Sequence, residues 1–165
     1  MFDLKPITAE SIPRAIEKAE RYRLLNEPAE AESICLDILR LDPENQRALV
    51  VLLLALTDQF ERFAVSIQQA QEILPRLRDA YERAYYAGII YERQAKAHLQ
   101  HGGLRSGPMA YGWLREAMEC YENAERIRPA GNDDAILRWN ACARVLTSRP
   151  DLDRGAEDTG ELPLE

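Results

Sequence analysis

Apolar residues recur every three or four positions through most of this chain, with polar residues between them. Ile16 and Ala19 belong to one such series, and Ala31, Cys35 and Ile38 belong to the next. This spacing places the apolar side chains along one face of an α-helix. No segment alternates apolar and polar residues with the two-residue period of a strand. The pattern therefore predicts an all-α protein.

Proline, glycine and asparagine interrupt the helical pattern at intervals. Asn26 and Pro28 end the first helix and begin the second, and Asp42 and Pro43 repeat this arrangement before the third. A glycine-rich run at 102–107 separates the two longest helices, and we expect it to be a connector. The pattern predicts seven helices, over about 12–25, 28–41, 43–58, 61–74, 76–100, 108–128 and 132–146.

The length and the composition together predict one domain and a tail. A chain of 165 residues has the usual length of a single domain, and we assign residues 1–146 to it. Residues 147–165 contain two prolines and two glycines and have a net charge of −4. Such a composition disfavours a packed core, so we expect an acidic, flexible C-terminal tail.

The first two helices resemble a tetratricopeptide repeat, a pair of helices that stacks on further copies of itself. The family has small residues where its helices cross, an aromatic residue one turn later and proline near the end of the unit. In the first unit these positions carry Ala19, Tyr22, Ala31 and Pro43. A third unit matches at Gly88, Tyr91, Ala117, Tyr121, Ala124 and Pro129. The second unit, between them, is marked by Leu52, Leu53, Leu56, Ala64 and Pro75.

The resemblance, which spans about residues 12–146, implies a right-handed helical-repeat solenoid of about three helix pairs with a C-terminal capping helix. In this family the first helix of each unit lines a concave groove that binds a helical or extended segment of another protein. The implied function is that of a protein-binding adaptor or scaffold. The residues expected to contact a partner are Glu17, Glu20, Arg47, Val50, Val51, Leu54, Tyr85, Tyr86, Ile89 and Arg93.

Two kinds of partner could cover the apolar centre of this predicted surface. In one case, the surface covers the apolar anchors of a different protein. In the other, a second copy of the chain buries it, and the function is structural, as a homodimer or larger homo-oligomer. One ligand of the family, a C-terminal carboxylate held by Lys, Asn and Arg, is disfavoured, because the matching positions carry Ile16, Glu20, Val51, Glu82 and Tyr86.

Charge and hydropathy narrow the classes of partner. The net charge of −7 disfavours nonspecific binding to nucleic acid or to an anionic membrane. The longest apolar run, residues 48–56, is shorter than the roughly 20 residues of a membrane-spanning helix. The N-terminal residues do not form a secretory signal, so we expect a cytoplasmic protein. Residues 76–115 have a net charge of +4, which suits an acidic partner, the acidic tail, or local pairs such as Glu92 with Lys96.

Residue types that commonly carry catalysis form no recognisable motif in this sequence. Cys35, Cys120 and Cys142 occupy apolar helical positions, where cysteine acts as a small hydrophobe. His98 and His101 share one helix face, but a metal site needs further ligands. The glycine-rich run lacks the lysine and hydroxyl residue that end a phosphate-binding loop. We therefore expect no enzymatic activity, no cofactor and no metal.

Overall fold

The structure is a computed structural model that describes residues 1–62 and 65–153. Within these ranges the chain is all-helical and contains no strand, which confirms the predicted fold class at that level. It divides into two compact units, residues 1–78 and residues from 79 onward. Ala64 and residues 154–165 of the predicted tail lie outside the described residues. The single domain over residues 1–146 stays a prediction.

The described part of the first unit contains four α-helices, which we label α1 (Ile12–Leu24), α2 (Pro28–Leu41), α3 (Gln46–Thr57) and α4 (Ile67–Gln71). Asn26 has a positive φ of 59°, which turns the chain after α1, and Pro28 occupies the first turn of α2. The third helix begins at Gln46 rather than near Pro43, because the Asn45 side chain accepts the Ala48 N–H at 3.0 Å and caps it there.

The fourth predicted helix is the largest error of the sequence analysis. A continuous helix over about 61–74 was expected, whereas α4 has only five residues and lies between short 3₁₀ turns at Phe60–Arg62 and Leu74–Arg76. Ser66 starts α4, with the Gln69 side chain accepting its N–H at 2.9 Å. Pro75 has no N–H to donate to the carbonyl of Gln71, the last residue of α4. Local capping and proline therefore shorten the helix.

Three longer helices form the described part of the second unit: α5 (Ala80–His101), α6 (Ser106–Arg126) and α7 (Asp134–Ser148). The fifth helix begins four residues later than predicted, because the Asp79 carboxylate accepts the N–H groups of Tyr81 and Glu82 at 2.7 and 3.2 Å. Gly102 and Gly103 have positive φ values of 65° and 114° and end it.

Close contact between α5 and α6 defines the centre of the second unit. Gly88 of α5 faces the fully buried ring of Tyr121, and a Cβ atom added to Gly88 would lie 2.4 Å from Tyr121 Cε1. One turn further along α5, Tyr91 stacks on Trp113 of α6 with ring centroids 5.5 Å apart. The glycine therefore leaves the space that the tyrosine ring fills.

The C-terminal end of the described chain packs on the second unit. The last helix ends at Ser148, beyond the predicted Leu146, and Leu152 is almost fully buried. Its Cδ2 atom lies 3.4 Å from the position that a Cβ on Gly107 would take. Among the described residues, no helix has the length and apolarity to cross a membrane.

Candidate functional site

Two charged residues of the predicted surface of the first unit, Glu20 and Arg47, pair across two helices. Arg47 of α3 donates two hydrogen bonds to the Glu20 carboxylate of α1, at 3.1 and 2.9 Å. Arg23 of α1 donates to Asp58, just after α3, at 2.8 Å. The hydrogen bonds to Glu20 raise the pKa of Arg47 further above its ordinary value. The side chains of the Glu20–Arg47 pair remain 40% and 56% exposed, so charged groups of a partner can reach them.

Apolar side chains of α3 share this surface to different degrees. Val50 and Leu54 are half-buried and lie four residues apart, on one face of the helix. Val51 is only 4% exposed and packs in the core. Glu17 is exposed on α1. Within this unit, Val50 and Leu54 can therefore reach a partner, whereas the side chain of Val51 is a packing residue.

The predicted surface of the second unit contains a cluster of tyrosine rings. Tyr81 stacks on Tyr85, with ring centroids 5.7 Å apart and planes 11° apart. Tyr86 meets Tyr85 edge to face at 5.1 Å, and Tyr121 of α6 lies 5.9 Å from Tyr85. We call Tyr81, Tyr85, Tyr86 and Tyr121 the tyrosine cluster. Tyr85 and Tyr86 are half-buried and keep part of each ring at the surface.

The surroundings raise the pKa values of the two surface tyrosines further above neutrality. Burial, followed by the nearby Glu82 carboxylate, raises the pKa of Tyr86 to about 12. Burial likewise raises the pKa of Tyr85, with Asp134 as the next cause. Both phenols therefore remain uncharged at neutral pH and combine an apolar ring with a hydroxyl that can donate a hydrogen bond.

Two other predicted residues of the second unit differ in accessibility. Ile89 is 7% exposed and contributes to the core, whereas Arg93 is half-buried. Of the four predicted contact residues of α5, Tyr85, Tyr86 and Arg93 are thus partly accessible. Because Ile89 packs inside the unit, its role in partner binding is indirect at most.

The sequence did not indicate that Glu92 forms a buried site, yet its carboxylate lies next to the tyrosine cluster. Glu92 is 2% exposed, and its carboxylate accepts hydrogen bonds from the Tyr121 hydroxyl at 2.7 Å and from Arg138 Nε at 3.0 Å. Arg138 also donates through its terminal nitrogen, and Lys96 lies 2.7 Å from the same carboxylate. The predicted pair of Glu92 with Lys96 is confirmed. We call these four residues the Glu92 network.

The Glu92 network joins the three helices of the second unit. Burial alone would raise the pKa of Glu92, but the hydrogen bonds from Arg138, Lys96 and Tyr121 outweigh it and hold that pKa below its ordinary value. The ionised carboxylate connects Tyr121 of α6 and Arg138 of α7 to α5. It therefore holds one ring of the tyrosine cluster in place.

The cysteines and histidines do not form a reactive centre in the described part of the chain. Burial raises the pKa of Cys35 and Cys142 to about 12 and that of Cys120 to about 11, which keeps the thiols protonated and weakly nucleophilic. His98 Nε2 lies 3.3 Å from the Gln94 amide nitrogen. The described residues contain no group of three or more His, Cys, Asp and Glu side chains arranged to hold a metal ion.

Comparison with known proteins gave no match: no protein-family model, curated protein or solved structure is significantly similar to this chain. The likeness to tetratricopeptide repeats remains a prediction from the residue pattern. The geometry of the two units supplies the evidence for the proposals that follow.

Proposed function

We propose that this chain is a tetratricopeptide-like protein-recognition module, acting as a cytoplasmic adaptor or scaffold. Its partner is a helical or extended segment of another protein. The observation that carries this proposal is the tyrosine cluster of α5 and α6, in which Tyr85 and Tyr86 of α5 present partly exposed rings on a packed support. The paired charges and the half-buried Val50 and Leu54 of the first unit give a second contact surface.

Rigid aromatic side chains are effective anchors in protein recognition. A tyrosine loses little conformational entropy on binding, because it has only two side-chain torsions, and here Tyr85 is already held by three neighbouring rings. Tyr86 adds a neutral hydroxyl beside its ring. Such residues, when surrounded by well-packed contacts, supply a large share of binding energy. This is the chemistry expected of a surface that covers the apolar anchors of a peptide.

The first unit supports the same role through its electrostatics. Glu20 and Arg47 remain partly exposed although they pair with each other, with side-chain accessibilities of 40% and 56%. A partner that carries complementary charges would form ion pairs with these exposed groups. We therefore assign orientation and specificity to these charges, and affinity to the apolar and aromatic side chains.

Affinity capture from a lysate of the native cells tests the proposal. The full chain is compared with Tyr86→Ala and with Tyr111→Ala, which removes a half-buried tyrosine of α6 outside the tyrosine cluster. A partner of the proposed kind is retained by the wild type and by Tyr111→Ala, whereas Tyr86→Ala loses it by about 30-fold in affinity, the size expected of an anchor residue. Val51→Glu is unsuitable here, because it would bury a charge in the core.

The result that contradicts the proposal is equal capture by both folded tyrosine variants. Recovery of the chain alone points to the alternative, in which a second copy covers this surface. Sedimentation over a dilution series separates the two functions: an adaptor keeps the monomer mass, whereas a structural homo-oligomer shifts towards a multiple of it.

A further inference from the structure

One face of α1 carries exposed basic side chains that the described structure does not neutralise. Arg14, Lys18 and Arg21 are spaced by four and three residues, so they lie along one side of the helix. Together with Glu17, Tyr22 and Leu25 they line one concave surface. Within the described residues, none of the three cations forms an ion pair or a side-chain hydrogen bond.

Three other arginines of the same unit pair with nearby carboxylates. Arg23 pairs with Asp58 at 2.8 Å, Arg47 with Glu20 at 2.9 Å, and Arg78 with Glu44 at 3.0 Å. Glu17 is the single acid that lines the concave surface, and it leaves two of the three positive charges there in excess. A local concentration of unpaired positive charge attracts an anionic ligand, even on a chain with a net charge of −7.

Apolar side chains lie at the C-terminal end of this basic face. Leu24 and Leu25 are 87% and 62% exposed, and Tyr22 is half-buried beside them. Adjacent exposed leucines at the end of a helix form a small apolar patch, and a ligand that covers them gains free energy by removing them from water. The ligand that fits both features therefore carries acidic and large apolar groups close together.

We propose that this α1 face, defined by Arg14, Lys18, Arg21, Tyr22 and Leu25, binds an acidic, leucine-containing segment of a partner protein. Its carboxylates would contact the three cations, and its leucine would cover Tyr22 and Leu25. The face is opposite the buried Ile16 and Ala19, so binding needs no repacking of the core. This proposal rests on the proposed function only because both assign protein recognition to the chain. The two surfaces differ, since the α1 face does not include the tyrosine cluster.

The test uses a defined probe and the full chain. A fluorescein-labelled peptide, Glu-Leu-Glu-Glu-Leu-Asp with an amidated C-terminus, is titrated with the protein and followed by fluorescence anisotropy at low and high salt. The amide ensures that side-chain carboxylates, and not a terminal one, are recognised. We expect saturable binding that weakens with salt, and no binding of the same peptide with Gln and Asn in place of its acids.

Variants locate the binding on α1. Lys18→Glu should lower the affinity about tenfold, because it removes one attraction and adds a repulsion. Leu25→Ala should lower it about threefold through lost apolar contact. The matched control is Arg40→Glu, which makes the same charge change at an exposed position of α2 outside this face, and it should alter the affinity less than twofold. Far-UV circular dichroism confirms that each variant is folded.

Three outcomes overturn the proposal. The first is the absence of saturable binding when the protein is titrated to about 1 mM. The second is an equal loss in Lys18→Glu and Arg40→Glu, which would show attraction to positive charge anywhere on the chain. The third is tighter binding to phosphatidylserine vesicles or to single-stranded RNA than to the peptide. None of these results affects the comparison of Tyr86→Ala with Tyr111→Ala, so failure here is distinguishable from failure of the proposed function.

Discussion

Replacing Gly88 by alanine tests the packing at the centre of the second unit. Two effects of opposite sign compete. Alanine stabilises a helix interior by about 1 kcal/mol relative to glycine. Against this, the new Cβ would lie 2.4 Å from Tyr121 Cε1, whereas carbon atoms pack favourably at about 3.5–4.0 Å. The ring would have to move by more than about 1 Å to remove the clash.

Tyr121 is poorly able to make that movement. Its side chain is fully buried, and its hydroxyl donates to Glu92 at 2.7 Å. Overpacking of a core typically costs about 1–3 kcal/mol, and loss of a hydrogen bond to a charged group costs about 1.5–3 kcal/mol if it is complete. The structure can relax part of the overpacking and keep part of the hydrogen bond, and the helix preference of alanine offsets about 1 kcal/mol of the remaining cost. We therefore expect Gly88→Ala to lower the free energy of unfolding by about 2 kcal/mol.

The matched control is Gly112→Ala, at another glycine inside a helix of the same unit. Apart from the adjacent backbone of its own helix, no described atom lies within 4 Å of the position of its Cβ. Only the helix preference then acts, and the variant should be more stable by up to about 1 kcal/mol. Urea denaturation followed by circular dichroism gives both values. If Gly88→Ala proves as stable as the wild type while Gly112→Ala behaves as expected, the close approach of Gly88 and Tyr121 is refuted.

Two further substitutions test a buried charge and a helix cap. Glu92→Gln should lower the free energy of unfolding at neutral pH by about 2 kcal/mol, below the usual cost of breaking a buried pair because Arg138 and Lys96 can reach water. The folded state holds the pKa of Glu92 below 4.5, so the carboxylate contributes fully to the free energy of unfolding above that pH and loses this contribution in more acidic solution. The urea midpoint of the variant should therefore fall less on acidification than that of the wild type. Asn45→Ala should lower the free energy of unfolding by about 1 kcal/mol, because it removes the cap of α3. Asn45→Asp should keep most of this stability, since aspartate can also cap a helix. Equal urea midpoints for the wild type and Asn45→Ala would contradict the capping role.

Local signals explain why the first helices were predictable and the fourth was not. The end of α1 and the start of α2 depend on Asn26 and Pro28, whose conformational preferences act within one turn of the chain. The predicted fourth helix ended at Pro75 but ran across Ser66, where α4 begins, because Val65, Ile67 and Ile73 indicated one continuous helix. Periodicity shows where a helix is possible, whereas capping and proline set its actual length.

The candidate surface was predictable in part, for geometric reasons. Val50 and Val51 are neighbours in sequence, yet a helix turns about 100° between them, so one is half-exposed and the other lies in the core. Sequence spacing alone does not decide which of the two valines lies at the surface and which lies in the core. The Glu92 network was predictable only for Lys96, four residues away, since Tyr121 and Arg138 are 29 and 46 residues distant.

Tyr121 connects the packing of the second unit to its proposed recognition surface. The same ring fills the space left by Gly88, donates its hydroxyl to Glu92 and lies 5.9 Å from Tyr85. A change that displaces this ring therefore acts on stability and on the support of the exposed tyrosines together. If the tyrosine cluster is the recognition surface, Gly88→Ala should weaken partner binding although Gly88 is buried, whereas Gly112→Ala should leave it unchanged. That coupling follows from the shared position of one side chain and requires no change in the fold.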